Sequence, residues 1–329
     1  MKVYNEKVSG IGSIMSNLLR EYRLKRNFDT VNYIEMKCNK INAYFKEYNL
    51  NTAVIAISGG IDSAIVLGLT KKASLKENSP IKNIIALTLP ASENSGVSDQ
   101  KNSAKRALEV GKQFGIELIN IDISTPSNTI SKEIENHLGF KAGDWAKGQF
   151  VPYLRTSMLY YITNLLTQEN KKAILLGTTN ADEGQYLGYI GKASDGMVDV
   201  QPISDLHKRE VYLLAKELGV PDSILKVAPK GDMYDERTDE EVFGASYDFV
   251  EAYYAFLKLN SKEQENLMKK IKENNEFNTF EELSNNLENM HRYNKHKYMG
   301  CSPSVHLDLF EMRIKGGWKY YVWGNDDEK

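Results

Sequence analysis

The chain has 329 residues, of which 41% are hydrophobic and 26% charged, a composition ample for a globular core. Its net charge of −2 gives no general field favouring nucleic acid or an anionic membrane, so neither partner is expected. No apolar run approaches the ~20 residues of a membrane span, and residues 1–20 do not read as a signal peptide. The only cysteines, Cys38 and Cys301, lack zinc-site or disulfide-framework spacing, which favours a reducing, cytoplasmic setting.

Apolar spacing predicts alternating helices and strands along the chain. Two polar helices come first, over about 11–22 and 29–48. Five strands are then predicted, at 53–57, 84–89, 117–123, 173–177 and 198–203. The intervening and following helices are predicted at 62–69, 99–114, 152–166, 208–218, 247–259, 261–272 and 280–297.

This order predicts a doubly wound α/β fold, in which a parallel five-stranded sheet carries helices on both faces. We expect one domain with three parts: a helical N-terminal arm over 1–50, a core over 51–250, and a helical C-terminal region with an aromatic tail over 251–329. Ligands of such sheets bind beyond the carboxyl ends of the strands. The loops after the first, second and fourth strands are therefore the informative ones.

The stretch 53–69, AVIAISGGIDSAIVLGL, reads as a buried strand, a glycine turn and a helix. Such a turn aims backbone N–H groups and the helix dipole at one point, which suits a phosphate. Asp62 at the helix start is a natural Mg²⁺ ligand beside bound phosphates. The turn lacks the Gly-Lys-Ser/Thr of a Walker A loop and is not a G-x-G-x-x-G fingerprint. A turn that uses glycine for geometry alone is the alternative.

A second carboxylate follows the fourth predicted strand, in T-T-N-A-D-E over 178–183. One metal shared by Asp62, Glu183 and a triphosphate would suit Mg²⁺. A helix start that favours Asn, Asp and Glu for capping alone explains this fragment equally well.

Basic residues further along the chain extend the pattern. Taken singly, each is typical of a solvated surface charge. Their order and spacing, however, resemble those of the NAD⁺ synthetases, ligases that amidate deamido-NAD. The loop S-G-G-I-D-S at 58–63 also resembles the pyrophosphate loop of the N-type ATP pyrophosphatases, which cleave ATP to AMP and pyrophosphate.

Several motifs carry this resemblance, which covers roughly 30–298. The family turn G-T-x-x-A-x-E stands at 177–183, and G-[FY]-x-x-K-x-x-D-G-x-x-D-[IV]-x-P-[LI] runs without a gap over 188–203. A-P-x-x-D stands at 228–232, and E-x-x-x-G-x-x-Y-D stands at 240–248 with one residue of slack. The terminal His-Lys of the family is His296-Lys297.

The resemblance implies a role for each matching residue. Catalysis would involve Asp62, Lys192 and Lys208, and Mg²⁺ would be bound by Asp62 and Glu183. ATP and its pyrophosphate would contact Ala56, Ile57, Ser58, Gly59, Gly60, Ile61, Asp62, Ser63, Thr178, Lys208 and Lys230. Deamido-NAD would contact Arg155, Lys192, Asp199, His296 and Lys297. For Arg155, a helix arginine that snorkels to the surface is the alternative.

The implied reaction is the ATP-dependent amidation of deamido-NAD by ammonia through an adenylate, giving NAD⁺, AMP and pyrophosphate. Such a reaction needs alignment and charge neutralisation more than a side-chain base. The first strand begins near residue 53, so no fused glutaminase is expected and ammonia would be free or supplied by another protein. The family implies a homodimer, with the apolar helix 152–166 as the candidate interface.

The chain departs from the family at three places. Lys230 stands where the family has Thr, the family's G-N-x-x-A-R stretch is poorly matched at 148–152, and the tail after Tyr298 has no counterpart. These departures leave open another ATP-dependent amide ligase that acts on a different carboxylate. A tRNA-modifying thiolase is disfavoured by two cysteines and a net charge of −2. A catalytically silent nucleotide-binding relative is the alternative from a different functional class.

Overall fold

A parallel sheet forms the centre of the computed structural model, which describes residues 10–91, 100–231, 237–297, 301–314, 317 and 319–324. Its seven strands lie in the order β3-β2-β1-β4-β5-β6-β7. Every neighbouring pair is parallel. In chain order the strands are β1 (Thr52–Ala56), β2 (Asn83–Thr88), β3 (Leu118–Asn120), β4 (Ala173–Leu176), β5 (Val200–Gln201), β6 (Cys301–His306) and β7 (Lys319–Val322).

The predicted α/β class and parallel sheet are confirmed, but the predicted count of five strands is wrong. The two additional strands, β6 and β7, come from the aromatic tail. β5 is only two residues long and leaves an open edge. β6 pairs with this edge, where the Val305 N–H donates to the Asp199 carbonyl at 2.7 Å. Unpaired strand edges favour the addition of a strand, so two short segments with weak patterns of their own complete the sheet.

Helices flank the sheet and also form the N-terminal and C-terminal extensions of the chain. Their bounds are α1 (Ser13–Arg26), α2 (Thr30–Glu47), α3 (Ile61–Ser74), α4 (Gln100–Phe114), α5 (Ser124–Leu138), α6 (Asp144–Gln168), α7 (Ala181–Gly184), α8 (Lys208–Leu218), α9 (Asp222–Leu225), α10 (Asp239–Phe243), α11 (Tyr247–Leu257), α12 (Ser261–Glu273) and α13 (Phe277–Asn294), which a 3-10 turn (Lys295–Lys297) follows. Both predicted N-terminal helices are therefore present.

The central strand β1 separates two apolar layers, as its alternation requires. Ala53 and Ile55 pack into the cluster formed by α2, α3 and α8. Val54 points the other way, into the cluster formed with α6. A third cluster joins α1 to α11 and α13 and packs the N-terminal helix against the C-terminal helices.

Some sequence predictions lie outside the described residues, including most of the loop at 91–96, Asp232 and Trp318. Among the residues that are described, no helix has the length and apolar character needed to cross a membrane.

Candidate active site

A cavity of about 830 Å³ opens at the carboxyl ends of β1, β2 and β4. β1 lies between β2 and β4, so successive strands are added on opposite sides of it. Ligands of doubly wound sheets bind at such a switch point. The cavity wall includes the glycine turn, the residues after β4, one side of α6 and the end of α13.

The glycine turn forms a tight elbow between β1 and α3. Gly59 has a φ of +84°, and a Cβ at this position would lie 2.2 Å from the backbone oxygen of Ser103. Gly60 is the N-cap of α3, and the Ser63 hydroxyl donates to the Gly60 carbonyl at 3.0 Å. The start of α3 therefore faces the cavity with its positive dipole end, which suits a phosphate group.

We expect Gly59→Ala to destabilise the protein by about 1–3 kcal/mol more than Gly139→Ala, because the added methyl meets fixed backbone. Gly139 is a matched control: its φ is +76°, but its Cβ would meet nothing within 4 Å. Urea unfolding of both variants measures the difference. Equal losses would mean that only the backbone conformation matters and that the elbow has room for a side chain.

Three charged side chains meet at the cavity floor. Lys208 Nζ donates to Asp62 Oδ2 at 2.7 Å and to Glu183 Oε1 at 2.8 Å. Asp62 comes from the start of α3, after β1, and Glu183 from α7, after β4. The two carboxylates predicted from separate strand ends therefore both contact one ammonium group. They lie close enough to each other to bind a single cation.

Three residues that sequence reasoning did not assign complete the floor. Asn180, fully buried, donates to Asp62 Oδ1 at 2.9 Å and accepts from the Glu183 N–H at 3.1 Å. The Tyr247 hydroxyl lies 2.9 Å from Glu183 Oε1 and 2.7 Å from Asp239 Oδ2. Asn180 and Tyr247 stand inside the recognised motifs at 177–183 and 240–248, so a signal existed for them. Asp239 lies in an acidic run and had none.

The floor has more carboxylates than cations. Burial raises the pKa of Glu183 to about 7; Lys208 opposes this shift, whereas Asp62 and Asp239 add to it. Burial also raises the pKa of Asp239, and Lys208 and the Tyr247 hydroxyl oppose this shift. Burial would lower the pKa of Lys208, but the surrounding carboxylates raise it well above its usual value. The floor is therefore electrostatically suited to an additional cation.

The residues present fit a magnesium ion that arrives with a phosphate ligand. Mg²⁺ is usually held by one or two carboxylates plus substrate phosphates, and Asp62 and Glu183 provide the two carboxylates. Within the described ranges, no group of three or more His, Cys, Asp or Glu side chains is arranged to hold a metal ion.

All of the predicted nucleotide contacts line this one cavity: the whole elbow 56–63, Thr178, Lys208 and Lys230. Among the predicted deamido-NAD contacts, Arg155, Lys192, His296 and Lys297 also line it. Arg155 donates to the Leu89 carbonyl and the Gln100 side chain, both at 2.9 Å, so it faces the cavity instead of snorkelling outward.

Lys297 is held at the rim of the cavity. Its Nζ donates to the Gly188 carbonyl at 2.8 Å and to the Ile190 carbonyl at 2.5 Å. Burial lowers the pKa of this amine to about 8. His296 and Lys192 are exposed near it, so the rim carries several basic side chains around the loop 188–199.

Asp199 is the one predicted contact that does not line the cavity. Its Oδ2 accepts the Leu175 N–H at 2.8 Å, and its Oδ1 accepts the Tyr160 hydroxyl at 3.2 Å. It ties β4 to α6 behind the cavity wall. Its contact with deamido-NAD stays a prediction.

The sheet and its elbow define the class: a doubly wound α/β protein with a glycine turn at the switch point. The family model described as NAD synthase matches residues 33–300. The NH(3)-dependent NAD(+) synthetase of Mycoplasmopsis pulmonis is 31% identical over 268 residues, which cover 81% of this chain and 87% of that protein. The enzyme of the same name from Thermoplasma volcanium is 34% identical over 199 residues, covering 60% and 74%. The chain belongs to the NAD synthase family.

Solved structures agree with this assignment. The structure of NMN synthetase from Francisella tularensis matches with a TM-score of 0.64 and 26% identity, covering 82% of this chain and 96% of that one. The NH3-dependent NAD synthetase from Campylobacter jejuni matches with a TM-score of 0.55 and 25% identity, covering 80% and 94%.

Proposed function

We propose that this protein is a cytoplasmic ligase that amidates deamido-NAD with ammonia at the expense of ATP, giving NAD⁺, AMP and pyrophosphate. The observation that carries the proposal is the meeting of Asp62, Glu183 and Lys208 below a glycine elbow at the switch point of the sheet. The names of the curated relatives support ammonia as the nitrogen donor.

The site would act mainly by alignment and charge stabilisation. The triphosphate of ATP would lie against the elbow and the start of α3, where N–H groups and the helix dipole stabilise the leaving pyrophosphate. Asp62 and Glu183 would hold Mg²⁺, which supplies positive charge to the phosphates when it is bound. Lys208 lies between these carboxylates and would turn its ammonium group towards the phosphates.

The opposite wall of the cavity would hold the acid substrate. Arg155 on α6 and the basic side chains of the rim, Lys192, His296 and Lys297, face the same space as the elbow. Their charge is complementary to the phosphates and carboxylate of a nicotinate nucleotide. The nicotinate carboxylate would attack the α-phosphorus of ATP, and ammonia would then displace AMP from the adenylate.

A substrate panel tests the proposed function. Release of AMP is measured with deamido-NAD and an ammonium salt, with deamido-NAD and glutamine, and with each compound left out. We expect turnover only where ATP, the acid and ammonium are all present. ATP binding without any turnover across the panel would instead favour a silent nucleotide-binding relative.

A second candidate differs only in the acid substrate. The likeness to the Francisella tularensis NMN synthetase favours amidation of nicotinate mononucleotide, and the poorly matched segment 148–152 forms part of the cavity wall. The mononucleotide therefore belongs in the same panel. A kcat/KM at least about tenfold higher with the mononucleotide, a 1.4 kcal/mol preference, would replace the first candidate by the second.

We also propose a homodimer formed through α5 and α6. These helices and the turn between them expose several large apolar side chains: Leu138, Phe140, Trp145 and Tyr161 are 58%, 66%, 64% and 64% exposed. Large exposed apolar side chains are candidates for an interaction surface. Trp145 also lines the cavity, so the proposed interface would adjoin the acid-binding wall.

Tyr161→Glu is expected to convert the dimer to a monomer in sedimentation velocity, because a buried unpaired carboxylate is costly. Leu75→Glu is the control, since Leu75 is 70% exposed at the end of α3, away from α5 and α6. A wild-type monomer at micromolar concentration, or a dimer that survives Tyr161→Glu unchanged, would contradict this interface.

A further inference from the structure

Helix α1 contacts the segment that carries Lys208 through a chain of polar side chains that begins at the half-buried Tyr22 and continues through two buried residues. The Tyr22 hydroxyl lies 2.9 Å from His207 Nε2, and His207 Nδ1 lies 2.6 Å from Asp182 Oδ1. Asp182 Oδ2 then accepts the backbone N–H of Lys208 at 2.7 Å. His207 is 0% and Asp182 2% exposed, so these contacts are made away from water.

The Asp182 carboxylate joins the two helix starts that carry the cavity floor. Asp182 directly precedes Glu183 in α7, and Lys208 is the first residue of α8. The Asp182 side chain thus links α7, which carries Glu183, to α8, which carries Lys208. A shift of Asp182 would move the ammonium group and the carboxylate relative to one another.

A second contact from α1 fixes the same helix start. Arg26 forms an ion pair with Glu210, with Nε–Oε1 and Nη2–Oε2 distances of 2.5 and 2.8 Å. Glu210 Oε2 in turn accepts the His207 N–H at 2.9 Å, completing a capping box at the start of α8. The Arg26 guanidinium also lies 4.0 Å from the Phe310 ring centroid.

Charge strengthens this chain of contacts. Burial lowers the pKa of His207, but Tyr22, Asp182 and Glu251 together raise it to about 10. An imidazolium at this position would donate from both ring nitrogens, one to Tyr22 and one to Asp182. The Tyr22 hydroxyl, at the other ring nitrogen, helps to hold the ring in the orientation that its contact with Asp182 requires.

We propose that Tyr22, His207 and Asp182 are positioning residues for ATP binding, and that α1 belongs functionally to the nucleotide site. Tyr22 and Arg26 precede the residues matched by the family model, and Phe310 follows them. Segments flanking the family region thus order the ammonium group that would meet the triphosphate. The inference rests on the proposed ATP site, but it makes no use of the identity of the acid.

Tyr22→Phe tests the proposal, and Tyr254→Phe is its matched control. Both rings pack edge-on to His207, with centroids 5.5 and 5.4 Å away. The Tyr254 hydroxyl, however, donates to the Met312 carbonyl and not to His207. The two variants therefore lose the same atom beside the same imidazole, but only one of them breaks the chain of contacts to Lys208.

ATP affinity by calorimetry and thermal unfolding are measured for both variants. We expect both to lose a similar amount of thermal stability, whereas only Tyr22→Phe weakens ATP binding, by about fivefold to tenfold, the effect of one hydrogen bond. Its KM for ATP should rise while its KM for ammonium is unchanged. Equal ATP affinity in the two variants would overturn the positioning role and leave the proposed function standing. If the wild-type chain bound no ATP, the proposed function would fail and this inference with it.

Discussion

Asp62→Asn should lower kcat/KM for ATP about a thousandfold while leaving the fold intact. The amide keeps the shape of the side chain but removes the charge that faces Lys208 Nζ at 2.7 Å and that would bind Mg²⁺. Preorganised charge of this kind is worth about two to three orders of magnitude per group removed. Initial rates of AMP formation over a range of ATP and Mg²⁺ concentrations measure the loss.

The control for this substitution is Asp222→Asn, which removes a carboxylate with a 74% exposed side chain from α9. That variant should keep its activity. An Asp62→Asn enzyme with more than about a tenth of wild-type kcat/KM would contradict the assigned role, since such a loss corresponds to less than about 1.4 kcal/mol.

Lys208→Met should cost about 3–5 kcal/mol of stability at pH 8, the usual result of removing one partner from a buried ion pair. The Lys208 side chain is 2% exposed, and those of Asp62 and Glu183 are 19% and 16% exposed. Without the ammonium group these carboxylates face one another and Asp239 without a counter-charge. Activity should also be lost, because the same amine would meet the triphosphate.

The stability loss should shrink on acidification. The pKa of Glu183 is raised to about 7 in the folded protein. Between the ordinary pKa of a glutamate and pH 7, the folded state therefore binds more protons than the unfolded state. Stability therefore falls as pH rises through that range. Removing Lys208 raises the pKa of Glu183 further, because Lys208 opposes that shift. The stability of the variant should therefore fall more steeply as pH rises. Urea unfolding at pH 5.5 and pH 8 measures both slopes.

Lys226→Met provides the comparison, because Lys226 pairs with Asp222 on the surface with side chains 59% and 74% exposed. Exposed pairs contribute about 0.2–1 kcal/mol at most, with little pH dependence at neutral pH. If Lys208→Met were as mild as Lys226→Met at pH 8, the buried charge cluster would not exist in solution.

The centre of the site could be predicted from sequence because its parts are local. The elbow at 58–63 and the turn at 177–183 are continuous motifs at the ends of apolar strands, so periodicity and turn chemistry place them together. Lys208 and its helix likewise had a clear start and stop. For these residues, the parallel sheet converts separation along the chain into proximity.

The remaining features depend on tertiary contacts that no local pattern encodes. Segment β6 pairs with the open edge of β5, and β7 then pairs with β6. Asp239 reads as one member of an acidic surface run, yet it is 4% exposed and held by Tyr247. The polar helix α1 gave no sign that Tyr22 reaches His207, because the two residues are 185 positions apart.

Asp199 shows what the family resemblance leaves open. It falls in a recognised motif, and the resemblance implies a contact with deamido-NAD that stays a prediction. In the structure both carboxylate oxygens are used by β4 and α6. A motif residue can therefore also connect a strand to a helix beside a site, and only the fold reveals that role.

The most direct test of the account follows the oxygen of the acid substrate. Deamido-NAD labelled with ¹⁸O in its carboxylate is incubated with ATP, Mg²⁺ and ammonium, and the products are examined by ³¹P NMR and mass spectrometry. If the elbow, Asp62 and Glu183 bind the leaving pyrophosphate, one ¹⁸O should appear in AMP for each NAD⁺ formed. An equal amount of pyrophosphate should be released. ADP and inorganic phosphate as products, or AMP without the label, would contradict it.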